Sequence, residues 1–168
     1  MKQIEELATQ KPDPELIAFA RQANADALAF EASLREGGRW KQGAEEIMLQ
    51  KLDDVAHKLP AVRLEDAFTY KSIVGVMVNY LAQGRPDLSV VSGFLDHIAL
   101  HCLTAQKYIW EKQRNNLLAD EEARTNEFQQ ILRDGLLMFS KAASVTTNRL
   151  GIEDFDKLRK DGLDLPLF

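Results

Sequence analysis

The chain has 168 residues, 45% hydrophobic, 28% charged and 8% aromatic, which is the usage of an ordinary globular protein. One cysteine excludes a disulfide scaffold, and nine glycines and five prolines among abundant leucine, valine and phenylalanine exclude collagen-like and disordered classes. The net charge is −5, with 10 basic against 13 acidic side chains in the first 84 residues and 11 against 13 in the rest, so neither half carries the basic excess on which non-specific DNA binding runs.

Met1–Gln10 is charged and amphipathic, unlike the basic-then-apolar opening of a signal peptide. Uninterrupted apolar runs stop far short of the ~18 residues of a membrane span, so a cytoplasmic protein without a membrane segment is expected. Asp13-Pro14-Glu15 reads as an N-cap, a first-turn proline and an acidic first turn. Leu16, Phe19, Ala20, Ala23, Ala27, Phe30 and Leu34 then recur at helical spacing until Gly37-Gly38. A second helix is expected over about Arg39–Leu59, carrying Trp40, Ile47, Leu52 and Val55 and stopped by Pro60. A third, about Leu64–Gln83, includes the β-branched stretch Ile73–Val78, where length and the charged approach favour a buried helix over a strand.

Gly84-Arg85-Pro86-Asp87 is the clearest break. It divides an N-terminal helical part, 1–84, from a C-terminal part, 85–160, of the same unit. A long central helix is expected from about Leu88 to Leu118, then a fifth from Asp120-Glu121-Glu122 to Leu150, with Gly151 as its C-terminal stop. Ile152–Lys160 reads as one more short helix and 161–168 as an extended apolar tail. The expected fold is an all-α, single-domain bundle of five or six helices.

Chemistry is sparse. The phosphate-cradling patterns GxxxxGK[ST] and GxGxxG, the nucleophile elbow GxSxG and the CxxC pair are all missing. His97 and His101 stand at i and i+4, so on a helix they share a face and could both reach one zinc ion, while Cys102 points about 100° away. The simpler expectation is that both imidazoles line a helix–helix seam and bond neighbouring carboxylates. The acidic pairs Glu45-Glu46, Asp53-Asp54 and Glu121-Glu122 read as solvated faces. Trp40, Trp110, Tyr70, Tyr80 and Tyr108 read as packing residues, because basic residues are not interleaved with them as a base-stacking groove requires. No catalytic residue, cofactor or metal is expected.

Two features suggest a role. Leu95–Trp110, Leu117-Leu118, Asn126-Glu127-Phe128, Ile131-Leu132-Arg133-Asp134, Lys141 and Arg149-Leu150-Gly151-Ile152 follow one another in an order that resembles a family of phage terminase small subunits, over about Asp87–Lys160. Glu127 stands where the family carries proline. The resemblance implies a non-enzymatic DNA-packaging subunit that assembles into a ring, binds viral double-stranded DNA and regulates the terminase large subunit. Lys107, Lys112, Arg114, Arg133, Lys141 and Arg149 are then the candidate DNA contacts.

The second feature is the tail, Gly162-Leu163-Asp164-Leu165-Pro166-Leu167-Phe168. It is similar to the peptide with which bacterial replication proteins bind the sliding clamp, Gln-Leu-Ser/Asp-Leu-x-Leu/Phe, with Gly162 in place of the glutamine. This implies an alternative, a small adaptor or inhibitor holding a host replication protein through Leu163, Asp164, Leu165, Pro166, Leu167 and Phe168.

Overall fold

The computed structural model describes residues 13–61, 63–116 and 122–163. Among them are six α-helices: α1 Pro14–Ser33, α2 Ala44–Ala56, α3 Leu64–Gly84, α4 Ser89–Arg114, α5 Glu122–Thr146 and α6 Ile152–Gly162. The all-α expectation holds.

Helix α1 begins as its sequence dictates. The Asp13 carboxylate accepts the Glu15 backbone N–H at 3.0 Å, and Pro14 occupies the first turn, where its missing N–H costs nothing. Asp13 also pairs with Arg114 at the end of α4, which ties the start of α1 to that helix.

The second helix does not begin at Arg39. A small antiparallel hairpin intervenes, β1 (Arg35–Glu36) against β2 (Arg39–Trp40), with Arg35 opposite Trp40. Gly37 and Gly38 form its two-residue turn at φ of 58° and 78°, a pair of left-handed conformations that glycine adopts at no steric cost. Trp40 therefore lies on a strand, and α2 starts only after Gly43, at φ 80°. The hairpin docks on the end of α3: the Trp40 indole N–H and the Arg35 guanidinium both donate to Gln83 Oε1, at 3.1 and 3.0 Å, and the Trp40 and Tyr80 rings meet edge to face at 5.3 Å.

Ile73–Val78 is helical because burial outweighs β propensity: Ile73, Val74, Val76 and Met77 all sit in the core of α3. The break at Gly84–Asp87 is a tight corner within one core. Pro86–Leu88 form a single 3-10 turn, and the buried Leu88 plugs it. Helix α4 then runs back antiparallel to α3, with Lys71 and Asp96 paired across the two. Its inward stripe, Val91, Phe94, Leu95, Ile98, Cys102, Ala105 and Ile109, follows the helical repeat. The core is continuous from Leu34, Met48 and Leu52 through Tyr70 and Met77 to Leu95, Leu132 and Phe155. Each fully buried side chain of leucine size contributes about 1.5–3 kcal/mol relative to exposure.

Helix α5 is antiparallel to α4, with Phe128 beside Tyr108 and Gly135 beside His101 and Cys102. It ends at Thr146, four residues before Leu150, because Asn148 turns left-handed at φ 59°. Helix α6 is longer than expected and takes in Asp161 and Gly162, so the first two residues assigned to the extended tail are helical. An added Cβ at Gly162 would stand 2.6 Å from Phe94 Cε2 and closer still to Cζ, so only glycine fits there.

Pro86–Arg114 is long and apolar enough to cross a membrane by length and composition, with a mean hydropathy of 1.4 over its best 18 residues. Polar residues interrupt the run, and the mean stays high because apolar residues outweigh them. Half of that window is buried inside the protein.

Candidate functional site

Helices α2 and α5 lie on the same flank of α3 and run in opposite directions. The Tyr80 hydroxyl donates to Glu45 at 3.0 Å, at the start of α2. At the other end, the Gln106 side chain reaches the chain just beyond α2, donating to the Leu59 carbonyl at 3.1 Å and accepting from the Arg63 N–H at 3.0 Å. Tyr70 packs edge to face on Phe139 at 5.2 Å, which sets α5 alongside α3.

Each helix buries one face and leaves the other free, and the two free faces border an open groove of about 860 Å³. The α2 wall carries Glu46, Leu49, Gln50, Asp53, Ala56 and His57, at three- and four-residue spacing. The α5 wall carries Arg133, Leu136, Leu137, Ser140, Ser144 and Thr147, with Arg149 just beyond the helix. Pro60, Phe139 and Ala143 complete the lining, and Leu137 is 57% exposed. One wall is thus acidic and the other basic.

His57 sits on the acidic wall with its Nδ1 2.7 Å from the Asp53 carbonyl and 3.6 Å from the Asp53 carboxylate. Those two groups, the carbonyl foremost, raise its pKa above the ordinary histidine value. Ser140 and Ser144 line the same groove, but the Ser144 hydroxyl donates to the Ser140 carbonyl at 3.0 Å and no hydrogen bond joins either serine to His57, so no nucleophile–base pair is assembled.

The His97–His101–Cys102 constellation lies on α4. Among the described residues no group of three or more His, Cys, Asp or Glu stands close enough to hold a metal ion. His101 is fully buried in the α4–α5 seam, where an added Cβ at Gly135 would approach its Cδ2 to 3.1 Å. His97 Nε2 is buried without a hydrogen-bond partner, so the expected carboxylate bond to this nitrogen is not made. Cys102 is buried beside Tyr70, and desolvation pushes its thiol pKa to about 12, which makes it an inert core residue. The Tyr70 hydroxyl is also buried without a partner.

The six basic candidates fall in separate places. Lys107, Lys112 and Arg114 stand near the end of α4, where Lys107 faces Glu111 at 3.9 Å and Arg114 is paired with Asp13 and lies 3.7 Å from Glu15. Arg133 and Arg149 both line the basic wall of the groove, far apart along it, across from the wall that carries Glu46 and Asp53. Lys141 is exposed on α5 outside the groove lining. The five aromatics pack on other rings, as expected, and cations lie over three of them. Arg35 lies 4.1 Å over Trp40, Arg114 5.0 Å over Trp110, and Lys112 and Arg124 5.3 and 5.4 Å over Tyr108. Sequence distance hid only the Arg124 pair, since Arg124 belongs to α5 and Tyr108 to α4, whereas the other three pairs lie within five residues.

Of the tail residues, Leu163 follows α6 directly and is 57% exposed. Asp164, Leu165, Pro166, Leu167 and Phe168 lie outside the described residues.

The groove was missed because Glu46 and Asp53 read as solvated faces and Arg133 and Arg149 as separate candidate DNA contacts. The Glu46–Asp53–His57 spacing was a usable signal. The hairpin had one as well, in two glycines between short flanking pairs. No protein-family model, no curated protein and no solved structure matches the chain.

Proposed function

We propose that this chain is a non-enzymatic adaptor subunit, a helical scaffold that docks on a DNA-handling protein through its C-terminal leucines. The observation that carries this reading is the end of α6. Phe155 is buried edge to face against Phe94 at 5.5 Å, and Gly162 closes on the same ring, so the helix is fixed and delivers an exposed Leu163 at a defined position. An exposed leucine leading into an apolar segment is the composition of a docking peptide.

In the packaging form of this reading, suggested by the terminase resemblance, the partner is the large motor and nuclease subunit. In the replication form it is the bacterial sliding clamp. The packing of Gly162 on Phe94 then accounts for the missing glutamine of the clamp-binding pattern, because no side chain fits there. DNA contact is assigned to the partner in both forms. The basic candidates are dispersed, and the two in the groove face carboxylates that would repel a phosphate backbone.

The test is binding of the full chain, and of a chain ending at Gly162, to immobilised sliding clamp and to immobilised terminase large subunit. Binding to one of the two, weakened at least about tenfold by the truncation, is expected, since a few buried anchor side chains carry most of the energy of an interface. Binding to neither, or equal binding by the truncated chain, refutes the reading.

A further inference from the structure

We propose that the α2–α5 groove is a self-association surface, on which a second copy of this chain packs about a two-fold axis parallel to the two helices, so that α2 and α5 of both copies form a four-helix bundle. The apolar strip of the groove supplies the first reason. Leu49 and Leu137 border it, and Leu137 leaves 57% of its surface in water although it sits mid-helix, next to the buried Phe139. Two antiparallel helices with an apolar strip between them are half of a four-helix bundle, and the missing half has the same shape as the half that is present.

Charge selects the occupant and the axis. Glu46 and Asp53 stand on α2, and Arg133 and Arg149 on α5. Because the helices are antiparallel, Glu46 near the start of α2 lies level with Arg149 beyond the end of α5. A two-fold axis along the groove keeps each residue at its height and exchanges the walls. Glu46 of one copy then meets Arg149 of the other, twice over, and Asp53 faces the other basic wall. An axis across the groove would set carboxylates on carboxylates and guanidinium on guanidinium, which costs energy. The pattern is therefore self-complementary about one axis only. A nucleic acid would meet the acidic wall, and a singly charged peptide would be repelled by one wall or the other.

The proposal is independent of the C-terminal tail, so a chain ending at Gly162 should associate as the full chain does. The experiment is sedimentation velocity and light scattering of the full chain at low salt, over a range of concentrations. The expected mass is twice the 19.0 kDa of one chain. Leu137→Arg, at an exposed position, should give a folded monomer by circular dichroism. Glu46→Arg and Arg149→Glu should each weaken dimerisation by at least about tenfold, and the double variant should restore it to within a few fold. A wild-type monomer at every concentration overturns the proposal. So does an assembly whose mass none of these substitutions changes, and so does a double variant that stays as weak as the singles. Tail docking on the clamp or the large subunit is read separately, so either idea can fail alone.

Discussion

Adding one methyl group to a helical glycine should move stability in opposite directions at different places in this molecule. At Gly162 the new Cβ would meet Phe94 Cε2 at 2.6 Å and Met138 Sδ at 3.3 Å. Phe94 cannot swing aside, since it is 3% exposed and its ring is held edge to face by Phe155. Overpacking of this kind costs about 1–3 kcal/mol. Alanine recovers little in return, because the position lies in the last turn of α6, where helix propensity counts least. For a chain of this size Gly162→Ala should lower Tm by about 2–10 °C. Gly75 and Gly93 are the controls. Both are exposed inside helices and would meet nothing within 4 Å, so alanine at either should add about 0.5–1 kcal/mol and raise Tm by about 1–4 °C. Thermal unfolding followed by circular dichroism measures all three, and hydrogen exchange shows whether the loss at Gly162 is confined to α6. A Gly162→Ala protein that melts at or above the wild-type temperature would refute the packing reasoning, and with it the account of the missing glutamine.

Tyr70→Phe removes a buried hydroxyl that has no hydrogen-bond partner, so chemical denaturation should show it neutral or stabilising, by up to about 1–3 kcal/mol; a clear loss would mean that the hydroxyl is bonded. Cys102, with its thiol pushed up to about 12, should react with a thiol reagent at pH 8 only as fast as the native protein opens, and much faster in denaturant; immediate labelling would contradict its burial. The Asp13 carboxyl is held below its usual 3.8, first by the hydrogen bond from Arg114 and then by the Glu15 N–H. A depressed carboxylate pKa contributes stability above 3.8 that is lost as the pH falls through the folded value. The Tm of Asp13→Asn should accordingly lie below wild type at pH 6, with the gap closing in strong acid; a gap independent of pH would show that charge is not the cause.

Helix starts and stops were legible where one residue has one mechanism: Asp13-Pro14 as a cap and Gly84-Arg85-Pro86 as a corner, whereas the helix expected to run to Pro60 already ends at Ala56. Two-residue strands were not, because a period of two cannot declare itself in Arg35-Glu36, and Trp40 was read into the following helix. The groove was illegible for another reason. Glu46, Asp53 and Arg133 look like solvent-facing residues one helix at a time, and only the antiparallel placement of α2 and α5, set by Tyr80, Gln106 and Tyr70, turns them into facing walls. Cation–ring pairs such as Arg124 over Tyr108 likewise exist only once α5 folds back on α4.

The two tryptophans stand at opposite ends of α1. Trp110 packs edge to face on Phe19 at 6.3 Å near its beginning, and Trp40 follows its end on the hairpin that hydrogen-bonds Gln83. Their emission therefore reports on two separate attachments of one helix, the first to α4 and the second to α3. Replacing either by phenylalanine leaves a single fluorophore whose spectrum follows one attachment alone. Coincident transitions in the two proteins would mark α1 as part of the cooperative unit, and separated ones would mark it as a strap that comes away from one end while the core behind it stays closed.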